Sequence, residues 1–166
     1  MHMPRAGKRS GVVSAAAALG QGRILATQTF ASDFRVLSEV RAFVEKWGTE
    51  VGLDEEQRYR MKLAASEASA NAMEHPDEKS DLTLWAWDRG ERFTVDVWHA
   101  GTFRVKPGEN RSHRGMGLPL MLTSVDEVAF ACLPEGGTRV SLSMFLKPAT
   151  PLELDGLRAT PDEYEI

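Results

Sequence analysis

The spacing of apolar residues predicts an amphipathic helix early in the chain. From Asp33 to about Val51 apolar residues recur every three or four positions, which is the period of a helix with one buried face. Asp33 or Ser32 can cap its first turn, and Gln28–Ala31 is expected to form a short strand before it. The apolar face comprises Val36, Leu37, Val40, Phe43, Val44 and Trp47.

Two further helices are predicted from local end signals. Asp54 and Gln57 have the spacing of a capping box, so a second helix begins there. It must end before Pro76, because the residue before a proline is pushed out of the helical region. A short helix is expected over Leu118–Ser124, where Pro119 falls in the first turn.

The rest of the pattern has a period of two and predicts two β-hairpins. Residues 82–97 alternate around a turn at 88–91, and residues 126–146 do so around a turn at 134–137. The helices and strands together predict an α+β two-layer sandwich. Its sheet is mixed but mostly antiparallel, and the helices pack on one face.

Composition and charge narrow the function classes. A chain of 166 residues with net charge −4 offers no basic patch for nucleic acid, and no apolar run approaches the ~20 residues that span a membrane. The apolar part of residues 11–20 is short and mostly alanine, so we expect a cytoplasmic protein rather than a secreted one. The single cysteine, Cys132, lies in an apolar run and is expected in the core.

The domain is expected to occupy residues 26–147. Residues 1–25 are expected to be a disordered N-terminal extension, and residues 148–166 form an acidic tail that contains proline. One domain is the ordinary outcome for this length.

The second helix carries three functional side chains in an alanine-rich stretch. Glu67, Asn71 and His75 are four residues apart, so each step drifts only about 40° around the helix and all three share one stripe. Such a stripe offers a proton acceptor, a hard oxygen donor suited to Mg²⁺ and an imidazole. Taken alone, such a stripe is more often a solvated polar face with ordinary helical side-chain pairs.

Glycine-rich segments downstream are the second candidate feature. His99-Ala-Gly lies at a predicted strand end, and Arg114-Gly-Met-Gly-Leu leads into the third helix. Backbone amides at a helix N-terminus can bind phosphate when glycines let it approach closely. Gly136-Gly137-Thr138 ends the series. Each segment alone is typical of an ordinary turn, and only their ordered combination is informative.

That ordered set resembles the GHKL superfamily of ATPases, and within it the anti-sigma-factor serine kinases of the RsbW type. The resemblance covers about residues 26–147 and implies a Bergerat-type ATP-binding fold with ATP and Mg²⁺ as cofactors. It implies that Glu67 is the general base, that Asn71 is the Mg²⁺ ligand and that His75 lines the same pocket. The remaining nucleotide-binding positions implied by the resemblance are His99, Gly101, Arg114, Gly115, Met116, Gly117, Leu118 and Thr138.

One position departs from the family pattern. The family places an aspartate that accepts a hydrogen bond from the adenine amino group where this chain has His99. Neutral histidine lacks the charge and the second oxygen of a carboxylate. Loss of a charge-assisted hydrogen bond costs about 1.5–3 kcal/mol, which predicts ATP binding about 10- to 150-fold weaker.

Two functions follow from the resemblance. The first is a protein-serine kinase that transfers the γ-phosphate of ATP to a serine of an anti-sigma-factor antagonist and also sequesters a sigma factor. The second is a binding module of a partner-switching system that sequesters its target without phosphorylation. Glu67 and Asn71 favour the kinase, whereas His99 favours the binding module. Both imply protein partners, and the resemblance together with the apolar first helix predicts a homodimer.

Overall fold

The computed structural model describes residues 11–12, 22–74, 81–101, 117–134 and 136–147. Six strands and three α-helices, with one 3₁₀ turn, make up the described part. In chain order these are β1 (Gly11–Val12), β2 (Arg23–Phe30), the 3₁₀ turn (Phe34–Val36), α1 (Leu37–Glu50), α2 (Glu55–Met73), β3 (Leu82–Asp88), β4 (Arg92–His99), α3 (Gly117–Ser124), β5 (Glu127–Cys132) and β6 (Thr138–Phe145).

The strands form one sheet in the order β1-β5-β6-β4-β3-β2. All neighbours pair antiparallel except β1 and β5, which pair in parallel. The predicted α+β fold with a mixed, mostly antiparallel sheet is therefore confirmed, as are both hairpins. None of the helices in the described ranges is both long and apolar enough to cross a membrane.

The core lies between the sheet and the helices. On β3 and β4 the alternate residues are fully buried, whereas the side chains between them on β3 are partly exposed. The buried side of α2 in this interface is rich in alanines, which allow the helix to pack closely against its neighbours. The buried members of this interface include Leu82, Leu84, Ala86, Phe93, Val95, Val97, Ala64, Ala65 and Ala68.

The first residues of β2 and of α1 differ from the sequence prediction. β2 begins at Arg23 rather than Gln28. Its first five residues carry no signal in the sequence, because most side chains of this edge strand are exposed and do not alternate between buried and exposed. Asp33 does form a cap, and its Oδ1 accepts from the Arg35 amide at 2.9 Å. That cap opens the 3₁₀ turn, however, and the α-helix starts only at Leu37.

The prediction of a core position for Cys132 is wrong. This residue is exposed at the last position of β5. The apolar run that suggested burial, residues 129–133, begins with Ala129, which is buried, but exposure increases along the strand toward its end at Cys132.

The capping box of α2 is present and also orients the helix. Asp54 Oδ1 accepts from the Gln57 amide at 2.8 Å, and Gln57 Oε1 accepts from the Asp54 amide at 3.2 Å. The same Gln57 side chain donates from Nε2 to the Phe145 carbonyl at 2.8 Å. The first turn of α2 is thereby attached to the last residue of β6.

Candidate functional site

The direction of α2 places its polar stripe at one end of the sheet. Phe145, which accepts from Gln57, is paired with Arg92 at the start of β4. From Gln57 to Asn71 the helix rises about 21 Å, and β4 covers a similar length of about 23 Å from Arg92 to His99. Asn71 and Glu67 therefore lie toward the end of the sheet where β4 finishes at His99.

The N-terminus of α3 lies toward the same end. Arg60, in the first half of α2, donates from Nε to the carbonyl of Ser124, the last residue of α3, at 2.8 Å. α3 packs along α2 and leads into β5, which starts beside the last residues of β6. Gly117, at the opposite end of α3, therefore lies toward the half of α2 that carries Glu67 and Asn71.

The third part of the site is a hydrogen-bonded contact between the segment that follows β4, at Gly101, and the start of β6, at Thr138. Thr138 Oγ1 donates to the Gly101 carbonyl at 2.8 Å, and the Gly101 amide donates to His99 Nδ1 at 3.1 Å. His99 and Thr138 are also directly paired across β4 and β6. Since Nδ1 accepts a hydrogen bond, a neutral His99 ring carries its proton on Nε2.

Gly137 is a site residue that the sequence analysis missed. Its φ is +98°, and a Cβ atom added there would lie 2.7 Å from the His99 carbonyl oxygen. Only glycine therefore allows the segment before β6 to pass the end of β4 so closely. The sequence analysis included the Gly136-Gly137-Thr138 segment in its ordered series, but it named only Thr138 as a nucleotide-binding position.

We expect Gly137→Ala to destabilise the fold by about 1–3 kcal/mol. Alanine is strained at the positive φ of this position, and its Cβ atom would also clash with the His99 carbonyl oxygen. Urea unfolding followed by circular dichroism measures the loss. Gly136→Ala is the matched control, since Gly136 has a similar φ of +94° but open space at its Cβ position. Equal losses in the two variants would show that the contact with His99 contributes nothing.

The electrostatics of the stripe suit a proton acceptor. Glu67 is half-buried, and burial raises the pKa of its carboxyl group above the usual value, with a smaller contribution from the negative charge of Glu74. A carboxylate with a raised pKa is a better base than an exposed one. Asn71, one turn further along α2, is also half-buried.

The oxygen donors of the Glu67–Asn71 stripe are of the type that Mg²⁺ binds. Within the described ranges no group of three or more His, Cys, Asp or Glu side chains is placed to hold a metal. Mg²⁺ does not need such a group, because it commonly takes one or two protein oxygens and completes its shell with water and phosphate oxygens. The half-buried amide of Asn71 supplies a donor of that kind on the stripe that carries Glu67.

The structure brings most of the sequence-predicted residues to one end of the domain. Glu67, Asn71, His99, Gly101 and Thr138 lie there by the contacts above. Gly117 and Leu118 form the first turn of α3. Four predicted residues lie outside the described ranges, namely His75, Arg114, Gly115 and Met116.

Comparison with known proteins identifies the family. The family model described as "Histidine kinase-like ATPase domain" matches residues 30–144. The chain belongs to this family. Membership implies that the ATPase domain binds ATP, and the match spans α1 to β6 together with every site element described above. A search of curated proteins gave no match.

A solved structure gives the same fold. The ATPase domain resembles the crystal structure of the RsbU and RsbW domains of Rv1364c from Mycobacterium tuberculosis, with a TM-score of 0.54 and 23% sequence identity. The similarity covers 75% of this chain and 34% of the other, so this chain spans about a third of the protein that it matches. At that identity the likeness is one of fold, and it agrees with the predicted RsbW-type architecture.

Proposed function

We propose that this ATPase domain is an anti-sigma-factor-like protein-serine kinase. It would transfer the γ-phosphate of ATP to a serine of an anti-sigma-factor antagonist, and it would also sequester a sigma factor. The observation that carries the proposal is the convergence of the Glu67–Asn71 stripe, the N-terminus of α3 and the bonded pair Gly101–Thr138 at one end of the sheet. The RsbW domain named in the structural neighbour supports the choice of partner class.

In the proposed reaction Glu67 accepts a proton. The serine hydroxyl oxygen attacks the γ-phosphorus, the bond from phosphorus to the β,γ-bridging oxygen breaks, and ADP leaves. The serine proton passes to the Glu67 carboxylate, whose burial raises its pKa and hence its basicity. Phosphoryl transfer relies mainly on positioning and charge stabilisation, so a base fixed on a rigid helix suits it.

The phosphates are assigned to the start of α3. Backbone N–H groups at a helix N-terminus are unpaired within the helix and carry partial positive charge, which favours an anion. Gly117 leaves room for a close approach at the first position of α3. The sequence places Arg114 and Gly115 shortly before this turn, and their assignment to phosphate binding rests on the family resemblance.

Asn71 is proposed to hold Mg²⁺, and this assignment gives a prediction. The ion would neutralise charge on the phosphates during transfer. We expect Asn71→Ala to weaken ATP binding about tenfold in the presence of Mg²⁺, because one oxygen ligand worth about 1.5 kcal/mol is removed. Titration calorimetry with ATP, run with Mg²⁺ and again with chelator, measures the difference.

The chelator arm separates metal binding from structural damage. Without Mg²⁺ the Asn71→Ala variant and the wild type should bind ATP equally, and Asn71→Asp should keep the Mg²⁺ dependence because it retains an oxygen. An equal loss of affinity with and without the ion would remove Asn71 as a metal ligand.

The second candidate function is a binding module that sequesters its target without phosphorylation. The observation in its favour is the burial of His99 at the end of β4, the residue that we assign to the position of the family's adenine-binding aspartate. Incubation with radiolabelled ATP and the cognate antagonist decides between the two. Labelled antagonist supports the kinase, whereas a tight complex without labelling supports the binding module. Either function would place the protein in the cytoplasm as a homodimer with protein partners.

A further inference from the structure

The side of the sheet that faces away from the helices is buried at its centre. The described helices all pack on the other side, around core residues such as Val95 and Leu142. Side chains alternate along a strand, so the residues between these core positions point to the opposite side, which we call the outer face. The outer-face residues of β4, β5 and β6 that are only 1–8% exposed are Thr94, Asp96, Ala129, Ser141 and Ser143.

These side chains are too small to bury one another. Thr94 Oγ1 and Ser143 Oγ are hydrogen-bonded at 2.8 Å, and both residues are buried. Thr29 and Thr83 form the same kind of pair elsewhere on the outer face, with their Oγ1 atoms 3.1 Å apart. There, however, Thr29 is exposed and Thr83 is only partly buried. The centre of the outer face therefore has a cover that the second pair lacks, and none of the described helices provides it.

The connection from β1 to β2 is placed to supply that cover. The two strands lie at opposite edges of the sheet, and residues 13–21 between them lie outside the described ranges. Val12 and Ala26 stand on one line across the sheet, separated by five strand spacings or about 24 Å. Gly22 is four residues before Ala26, so about 27 Å separate it from Val12. The paired residues along the line are Val12, Val128, Leu142, Val95, Ala86 and Ala26.

The length of the connection limits its route. Ten residues reach at most about 33–36 Å when fully extended. A path over the helices would have to climb and descend a layer about 10–12 Å thick, which exceeds that reach. The direct path across the outer face passes over Ser143 and Thr94, which are buried. Arg139 and Trp98 lie farther from this path, toward the other end of the strands, and are partly exposed.

The connection also ends on the outer side. Trp87 pairs with Thr94 and so belongs to the outer face. The guanidinium group of Arg89 lies over the Trp87 ring, 4.5 Å from its centroid. A Cβ atom added at Gly22 would lie 2.8 Å from Cγ of Arg89. The chain therefore enters β2 in contact with a side chain that covers part of the outer face.

We propose that residues 13–21 cross the outer face and dock on it as a permanent cover. This segment reads VSAAAALGQ, so it carries no charge and consists mainly of small side chains. Small residues on both surfaces allow a close approach. The hydroxyls of Thr94 and Ser143 already bond each other, so covering them leaves neither unsatisfied. The proposal replaces the expectation of disorder for this segment, and it closes the outer face to protein partners.

Disulfide formation in the full chain tests the contact directly. In a Cys132→Ser background, Ser141→Cys is combined in turn with a cysteine at each of the alanine positions 15–18. A disulfide requires two Cα atoms within about 7 Å, so at least one pair should form an intramolecular bond under mild oxidation. Tyr59→Cys is the matched control, because Tyr59 is exposed on α2 on the opposite side of the sheet. It should form no bond with the same four positions.

Thiol reactivity gives a second measurement. Ser143→Cys in the same background should react slowly with a soluble disulfide reagent. When residues 13–21 are replaced by a glycine–serine segment of equal length, the reaction should be at least about tenfold faster, because the cover is lost. Thr29→Cys, on the exposed part of the same face, should react equally fast in both chains. Circular dichroism checks that the replaced chain is folded.

Three results would overturn the proposal. They are no intramolecular disulfide between Ser141→Cys and any of the four positions, disulfides formed instead with Tyr59→Cys, and unchanged reactivity of Ser143→Cys in a folded chain with the replaced segment. The disulfide experiment decides alone if the replaced chain is unfolded. Nucleotide takes no part in either measurement, so the result is independent of the proposed kinase activity.

Discussion

Glu67→Gln should lower phosphoryl transfer to the antagonist by about 10²–10⁴-fold while nucleotide and partner binding stay nearly unchanged. Glutamine keeps the size and hydrogen-bonding reach of glutamate but cannot accept the serine proton. The half-buried position on α2 means that the substitution removes an unfavourable charge rather than a stabilising one. Transfer of labelled phosphate measures the rate, and calorimetry with ATP confirms that binding survives.

The pH profile provides an independent check on the same residue. Because burial and Glu74 raise the pKa of Glu67, its carboxylate is lost at a higher pH than that of an exposed glutamate. The wild-type rate should therefore fall with decreasing pH already above the usual glutamate range, and the residual rate of Glu67→Gln should not show that limb. Equal phosphorylation by wild type and variant would reject Glu67 as the base.

His99→Asp should tighten binding of Mg·ATP by about tenfold or more. In the present structure the Gly101 amide donates to Nδ1, so the neutral ring offers a donor at Nε2, whereas the adenine amino group needs an acceptor. Aspartate offers two acceptor oxygens, and one of them can keep the bond from the Gly101 amide. Calorimetry with Mg·ATP on both proteins measures the change.

His99→Asn separates charge from shape in this experiment. Asparagine matches aspartate in size but is neutral, so its affinity should fall between those of the wild type and His99→Asp. Low-micromolar binding by the wild type, with no change in His99→Asp, would show that His99 does not stand at the adenine position.

The sequence predicted what depends on local signals. The start of α2 follows from side chains three residues apart, and the hairpin at residues 82–97 follows from alternation along adjacent strands. The start of β2 was not predicted, because an edge strand needs no buried face along most of its length. Gly137 was missed for a related reason, since its role depends on a contact with His99, 38 positions away in the chain.

Among the candidate site residues, too, local sequence predicted the positions along an element, whereas contacts between distant residues were not predicted. Glu67 and Asn71 were found because helical spacing alone places them on one stripe. Their position relative to His99 and α3 depends on bonds between distant residues, from Gln57 to Phe145 and from Arg60 to Ser124. The hydrogen bond that sets the His99 tautomer likewise depends on the backbone path at Gly101.

The alanine face of α2 limits how this domain can change during evolution. Ala64, Ala65 and Ala68 are at most 1% exposed, so a larger side chain there would have to displace the helix from the elements packed against it. Misplacing a catalytic group by about 1 Å can cost about 10²-fold in rate. Variation that preserves the fold is therefore expected at the strand ends, such as position 99, where a new side chain changes a hydrogen bond and the nucleotide affinity without moving a layer.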